Sequence, residues 1–159
     1  MIYNLEEAIE KIKEYKSQSK KIVFTNGCFD IIHAGHVKYL NIAKSYGDIL
    51  VVGLNSDDSI KRIKGGKRPI VPQEQRAYVL SQLKPVDMVV IFDEDTPYNL
   101  IKAIKPDILI KGADWKIENI VGADIVLSQG GSVNTVKFDY DTSTSKIIQK
   151  IVELYCEKH

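Results

Sequence analysis

Four stretches of the chain are apolar almost from end to end: KIVFT at 21–25, DILVVGL at 48–54, VDMVVIF at 86–92 and DILI at 107–110. A strand with one wet face alternates apolar and polar residues. A continuous run belongs to a strand buried on both faces, which a parallel sheet covered by helices provides. The intervals between the runs carry helical signals. Asn4 followed by Glu7 has the form of a capping box, and Leu5, Ile9 and Ile12 recur at helical spacing up to about Tyr15. A second helix is expected from about Gly35 to Ser45. Pro72 suits the first helical position of PQEQRAYVLSQL, and Thr96 and Pro97 open TPYNLIKAIK as cap and first residue.

A helix over 123–129 ends at Gly130, a C′ glycine, and SVNTVKF at 132–138 reads as a fifth strand before a closing helix at 143–155. Residues 55–71 read as a long polar loop. Strand and helix alternate throughout, which predicts an α/β fold: a Rossmann-like, doubly wound, mainly parallel five-stranded sheet with helices on both faces. In such sheets ligands bind beyond the carboxyl ends of the strands, where the strand order reverses. A genuine site should therefore draw on strand-to-helix junctions.

Composition narrows the class. With 159 residues and 44% hydrophobic content the chain has the size of one domain with a real core. A formal net charge of +1 gives no basic field for nucleic acid. No apolar run approaches the roughly 20 residues a membrane span needs, and the N-terminus carries charges where a signal peptide is apolar. Cys28 and Cys156 match no metal spacing, so reduced thiols in a cytoplasmic protein are expected.

The first junction, NGCFDIIHAGHVKYL, sets His33 and His36 three residues apart at a helix start. Free N–H groups and the helix dipole favour an anion there, and two imidazoles can add hydrogen bonds to phosphate oxygens. Gly27 and Gly35 keep side chains away from an approaching phosphate chain. The alternatives are helix caps or metal ligands. A metal site wants a third ligand, and the remaining histidine is His159 at the chain end.

His-Ala-Gly-His matches the HxGH signature of the nucleotidyltransferase superfamily, and GCFDIIHAGHVKYL resembles its cytidylyltransferase-type branch. The blocks GLNSDDSIKRIKGGKRPIVPQEQRAYVL, DEDTPYNLIKAIKPDILIKGADW and DTSTSKIIQKI follow in the order found in heptose-1-phosphate adenylyltransferases. The likeness runs from about Lys21 to Ile151, implying one nucleotidyltransferase domain over 1–159, with an N-terminal helix in 1–18 and a catalytic core at 21–151.

At the second junction Lys61, Arg62, Lys64, Lys67 and Arg68 crowd around Gly65-Gly66. A charge run is often only a solvated face; its place after a strand points to phosphate, and the two glycines would let the loop close over substrate. The resemblance implies Lys64 and Lys67 near the sugar phosphate and the nucleotide phosphates, and makes Arg76 a phosphate contact. In KGADW, Gly112 permits close backbone approach, Asp114 can accept from a ribose hydroxyl or the base, and Trp115 offers an aromatic face; the resemblance puts this block in the nucleotide pocket. In the last junction Ser143, Thr144 and Ser145 are either helix caps or a second phosphate cradle. They resemble the family's STT block, with Ser145 for the usual threonine. Cys28 stands where relatives often carry Thr or Val. The resemblance further implies nucleotide contacts at Cys28, Phe29, Gly35 and Thr142, and acceptor contacts at Asp30, Asn55 and Lys64.

The implied reaction is attack by a sugar 1-phosphate on the α-phosphate of ATP, releasing pyrophosphate. The nucleophile is already an anion, so positioning and charge stabilisation are what remain. His33, His36 and Lys67 are the expected catalytic residues. Mg²⁺ is expected with the nucleotide, held mainly by phosphates and water. Relatives imply a homodimer, and a separate heptose kinase upstream would supply the substrate. The rivals are a cytidylyltransferase acting on glycerol 3-phosphate or another phospho-alcohol, and a nucleotide sensor without turnover.

Overall fold

The structure, a computed structural model, describes residues 1–137 and 141–156. The last residue of the strand expected at 132–138 lies outside them. Six strands form one parallel sheet: β1 (Ile2–Tyr3), β2 (Ile22–Gly27), β3 (Ile49–Asn55), β4 (Met88–Phe92), β5 (Ile108–Gly112) and β6 (Ser132–Val136), in the order β1-β4-β3-β2-β5-β6. The expected count of five is corrected to six. The extra strand, β1, is a two-residue edge pairing Ile2 with Val89 and Tyr3 with Val90, too short to leave an apolar run in the sequence.

The continuous runs are buried on both faces. Every residue of β3 is buried. Ile22, Phe24, Val51 and Val90 point to one core, covered by α1 (Leu5–Ser17), α5 (Tyr98–Ile104) and α6 (Ala123–Ser128). Val23, Leu50, Val52 and Val89 point to the other, covered by α2 (Ala34–Lys44) and α4 (Gln73–Ser81). The capping box at Asn4 is present, with Glu7 N–H donating to Asn4 Oδ1 at 2.8 Å.

Residues 55–71 are not all loop. α3 (Asp57–Lys64) occupies the first half, capped by Ser56 Oγ accepting from Ser59 N–H at 3.1 Å. Its acidic first turn and basic last turn suit the helix dipole, a local cue hidden by the charge density. Pro72 and Pro97 cap α4 and α5 from just outside rather than opening them. The closing helix, α7 (Thr144–Tyr155), starts one residue after its Ser143 cap.

The strand order reverses at β2. From β2 the chain moves outward to β3 and β4, then returns to lay β5 on the other side. β2 pairs with β3 as far as Gly27 against Leu54, but with β5 only at Val23–Ile108 and Phe24–Leu109. Beyond that point the Ile110 carbonyl faces two hydroxyls instead, Thr25 Oγ1 at 3.0 Å and Tyr39 at 3.2 Å. The two hydroxyls are 2.7 Å apart, so one donates to the carbonyl and the other donates to its neighbour hydroxyl. This buried latch satisfies the carbonyl while β2 and β5 splay apart, and the splay opens a crevice at the switch point.

Candidate active site

A cleft of about 330 Å³ fills that crevice. Its walls are the ends of β2 and β5 (Asn26, Gly27, Lys111, Gly112), the turn Cys28–Asp30, the first turn of α2, and the lead-in and start of α7 from Thr142 to Ser145, with Lys64, Arg68 and Trp115 at its edges. The turn into α2 is strained: Phe29 and Ile31 both sit at positive φ, 46° and 53°.

His33 is the N-cap of α2 and His36 is its third residue, and each helps to close the helix end. Gly35 N–H donates to His33 Nδ1 at 3.1 Å, and His33 N–H donates to His36 Nδ1 at 3.3 Å. Both Nδ1 atoms are therefore acceptors, so both rings carry their proton on Nε2. The rings stack with centroids 3.8 Å apart, and Phe29 leans on His36 at 5.3 Å. Burial, then the neighbouring His33 and Lys64, push His36 down to about 4, and burial lowers His33. The pair presents two neutral N–H donors at a helix N-terminus. Capping and the cleft are not alternatives here, because the caps fix the rings that line the cleft.

Gly35 is crowded: a Cβ would stand 3.0 Å from His33 Cε1 and 3.3 Å from Thr142 Cγ2, so either side chain would have to give way by a few tenths of an ångström. The approach to α7 thus packs onto the start of α2, and two helix N-termini meet at one wall. Ser143 caps α7, its Oγ accepting from Lys146 N–H at 3.1 Å.

Asp30 ties the cleft together. Its carboxylate accepts from the amides of Ile70 at 2.8 Å and Val71 at 2.9 Å, and its backbone carbonyl accepts from the Thr144 hydroxyl. Arg68 lies 3.9 Å from the same carboxylate and donates to Ser145 Oγ at 3.0 Å. One buried acid joins the turn after β2, the basic loop and the start of α7.

A second cavity of about 370 Å³ adjoins the first and shares Asn26, Gly27, Cys28, Lys64, Lys111 and Trp115 with it. Burial pushes the Cys28 thiol up.

Of the expected site residues, the cleft gathers Cys28, Phe29, Asp30, His33, Gly35, His36, Lys64, Gly112, Trp115 and Thr142–Ser145. Four are placed elsewhere. Lys67 is exposed and outside the cleft wall, while its neighbour Arg68 turns inward toward Asp30. Arg76 is 1% exposed and fully engaged: Nε donates to Val71 O, Nη1 to the carbonyls of Cys28 and Asn55, and Nη2 to Asp57 Oδ1. It braces the loops behind the cleft. Asp30 is likewise a brace whose carboxylate is taken up by amides. Asn55 lines the second cavity, its amide donating to Ser59 Oγ at 3.1 Å, and Asp114 is exposed beside Gly112.

Asn26, Tyr39, Arg68 and Lys111 also line the cleft and were not singled out as site residues. The sequence signal for Arg68 and Lys111 was their place beside the glycines of a junction. Tyr39 carried none, because a buried tyrosine on a helix reads as core.

The family model of cytidylyltransferase-like proteins matches residues 24–150. "Bifunctional protein HldE" of Geobacter sulfurreducens is 51% identical over 157 residues, 99% of this chain and 32% of that protein. The protein of the same name in Wolinella succinogenes is 55% identical over 146 residues, 91% of this chain and 30% of its own length. The chain thus spans about a third of the length of these curated relatives. Among solved structures, the lipopolysaccharide core biosynthesis protein from Thermoplasma volcanium is 32% identical with a TM-score of 0.61, covering 77% of this chain and 99% of its own. Pantoate-beta-alanine ligase from Francisella tularensis, complexed with an ATP analogue and beta-alanine, shares the fold at 15% identity and a TM-score of 0.62, over 99% of this chain and 80% of its own. With a match over most of its length and the HxGH pair at the switch point of its sheet, this chain belongs to the cytidylyltransferase-like family.

Proposed function

We propose that the chain is an adenylyltransferase that moves AMP from ATP to D-glycero-β-D-manno-heptose 1-phosphate, giving ADP-heptose and pyrophosphate. The observation that carries this is the histidine pair, fixed as two neutral Nε2–H donors at the N-terminus of α2 in the switch-point cleft. The sugar substrate is supported by the identity to HldE proteins and by the likeness to a lipopolysaccharide core biosynthesis protein, which favours a surface-glycan precursor as product. We take residues 1–159 as one nucleotidyltransferase domain with its core at 21–151.

An oxygen of the sugar phosphate forms a bond to the α-phosphorus, the bond from that phosphorus to the bridging oxygen breaks, and pyrophosphate leaves. Both partners are anions throughout, so no proton has to move. His33 and His36 donate to the α-phosphate as charge gathers there, acting without reorganisation because their tautomers are already set. Arg68, in the place expected of Lys67, and Lys64 neutralise the departing pyrophosphate. The Ser143–Ser145 turn holds the outer phosphates. Gly112 and Trp115 form the nucleoside side of the pocket.

The donors on the cleft wall suit phosphates. Among the described residues no cluster of three His, Cys, Asp or Glu could hold a metal, and the Asp30 carboxylate is committed to two amides. Mg²⁺ would therefore ride on the nucleotide, coordinated by phosphate oxygens and water, and would supply charge neutralisation. The sugar phosphate has to come from a phosphorylating enzyme, and we place the reaction in the cytoplasm, where ATP is made available. No helix among the described residues is long and apolar enough to cross a membrane. A homodimer is supported by α7, which buries none of its residues and leaves Ile151, Val152 and Leu154 about half exposed or more.

Pyrophosphate release with ATP or CTP against heptose 1-phosphate and glycerol 3-phosphate tests the reading. Release is expected with ATP and the heptose phosphate. Release only with CTP and glycerol 3-phosphate would make it a cytidylyltransferase, and tight ATP binding with no release would make it a sensor.

A further inference from the structure

We propose that Lys111 anchors the acceptor's phosphate at the junction of the two cavities, so that the acceptor enters through the second cavity and the nucleotide through the first. This rests on the reading above that the site joins a phosphorylated acceptor to a nucleotide.

Lys111 stands next to the end of β5, across the splay from β2, and lines both cavities. Lys64 is the other cation common to the two, but it is exposed at the end of α3 beside Gly65-Gly66, whereas Lys111 is held on a strand. Strand residues are placed more rigidly than loop residues, which in-line geometry requires.

Its charge is not met within the fold. Among the described residues the Nζ donates once, to Asn26 Oδ1 at a long 3.4 Å, lies 5.6 Å from the Trp115 ring centroid, and has no carboxylate within 4.0 Å. Lys44, a partly buried lysine with a structural task, bonds both the Asp87 carboxylate and the Asp48 carbonyl. Burial lowers the Lys111 pKa, against smaller raising effects from Cys28 and Asp114, with Lys64 adding the least. A desolvated ammonium with two unused donors is costly unless an anion completes it. The imidazoles and the Ser143–Ser145 turn lie on the first cavity alone, so that wall takes the triphosphate. The anion left for Lys111 is the one arriving from the other side. Asp95 and Thr96 there offer polar atoms and Ile120 and Val121 apolar ones, a mixed lining suited to a polyol with an apolar ring face.

Trp115, the one tryptophan of the chain, sits against Lys111 and reports on it by fluorescence. The test saturates the full chain with an ATP analogue bearing a methylene bridge between the α- and β-phosphates. D-glycero-β-D-manno-heptose 1-phosphate or glycerol 3-phosphate is then titrated in. In Lys111→Met the acceptor Kd should rise about 10- to 100-fold, the scale of one charge-assisted hydrogen bond, while the analogue's Kd stays within about threefold. Lys111→Arg should recover most of the loss. If Lys111→Met fails to fold, Lys111→Gln carries the same comparison. Equal weakening of analogue and acceptor, an unchanged acceptor Kd, or a wild type that binds neither acceptor would overturn the proposal. Binding of glycerol 3-phosphate without the heptose phosphate, lost in Lys111→Met, would end the heptose reading and leave the lysine assignment standing.

Discussion

His33 and His36 lock each other in place: the backbone N–H of His33 donates to His36 Nδ1 at 3.3 Å while the two rings stack 3.8 Å apart. A cap of this kind fixes ring orientation and tautomer together. It turns a pair of titratable groups into a pair of preset donors, and the first two predictions follow from that.

His36→Ala removes one donor and the acceptor for the His33 amide. The expected loss in kcat is on the order of 100-fold or more, the scale for one donor to a developing oxyanion, with the ATP KM changed far less. Steady-state pyrophosphate release measures both. A kcat near that of the wild type would remove His36 from the reaction.

The same burial predicts a pH dependence of stability. His36 is pushed down to about 4 by burial first, then by His33 and Lys64, against a smaller pull from Asp30. The unfolded chain gains its proton near the ordinary 6.5, whereas the folded chain holds the ring neutral. The unfolded state therefore binds more protons between about 6.5 and 4, so stability is intact above that window and falls as pH drops through it. Urea midpoints of the wild type should decline there, and His36→Gln should decline less. Parallel curves for the two proteins would contradict the assignment.

Arg68→Ala should weaken ATP binding about tenfold, because Arg68 bridges Asp30 and Ser145 at the cleft wall. Lys67→Ala, on the exposed side of the same loop, should change it by less than about threefold, as expected of a solvated charge. Calorimetric titration of both variants with ATP decides between them, and the reverse order would restore Lys67 to the role the motif suggests.

Arg76→Met should destabilise the fold by about 3 kcal/mol or more in urea unfolding. It strips donors from the carbonyls of Val71, Cys28 and Asn55 and leaves Asp57 without its 2.7 Å partner. An activity loss with unchanged stability would show that Arg76 meets the nucleotide after all.

The parallel sheet, the helix starts and the histidine pair were legible in the sequence because each is a local matter. Burial on both faces makes a strand continuously apolar, as in β3, and a cap is written within four residues, as at Asn4 and Glu7. The two-residue β1 and the helix inside 55–71 were missed, one too short for a period and the other masked by its charges. Only the tertiary structure decided which of Lys67 and Arg68 turns inward, that Arg76 and Asp30 brace loops, and that Lys111 stands between two cavities. Those outcomes depend on acceptors 5 to 114 residues away in sequence, brought near by the return of β5 to the far side of β2 and by the start of α7 meeting Asp30 and Arg68. Side-chain direction at such distances is set by the packed whole, which no local period encodes.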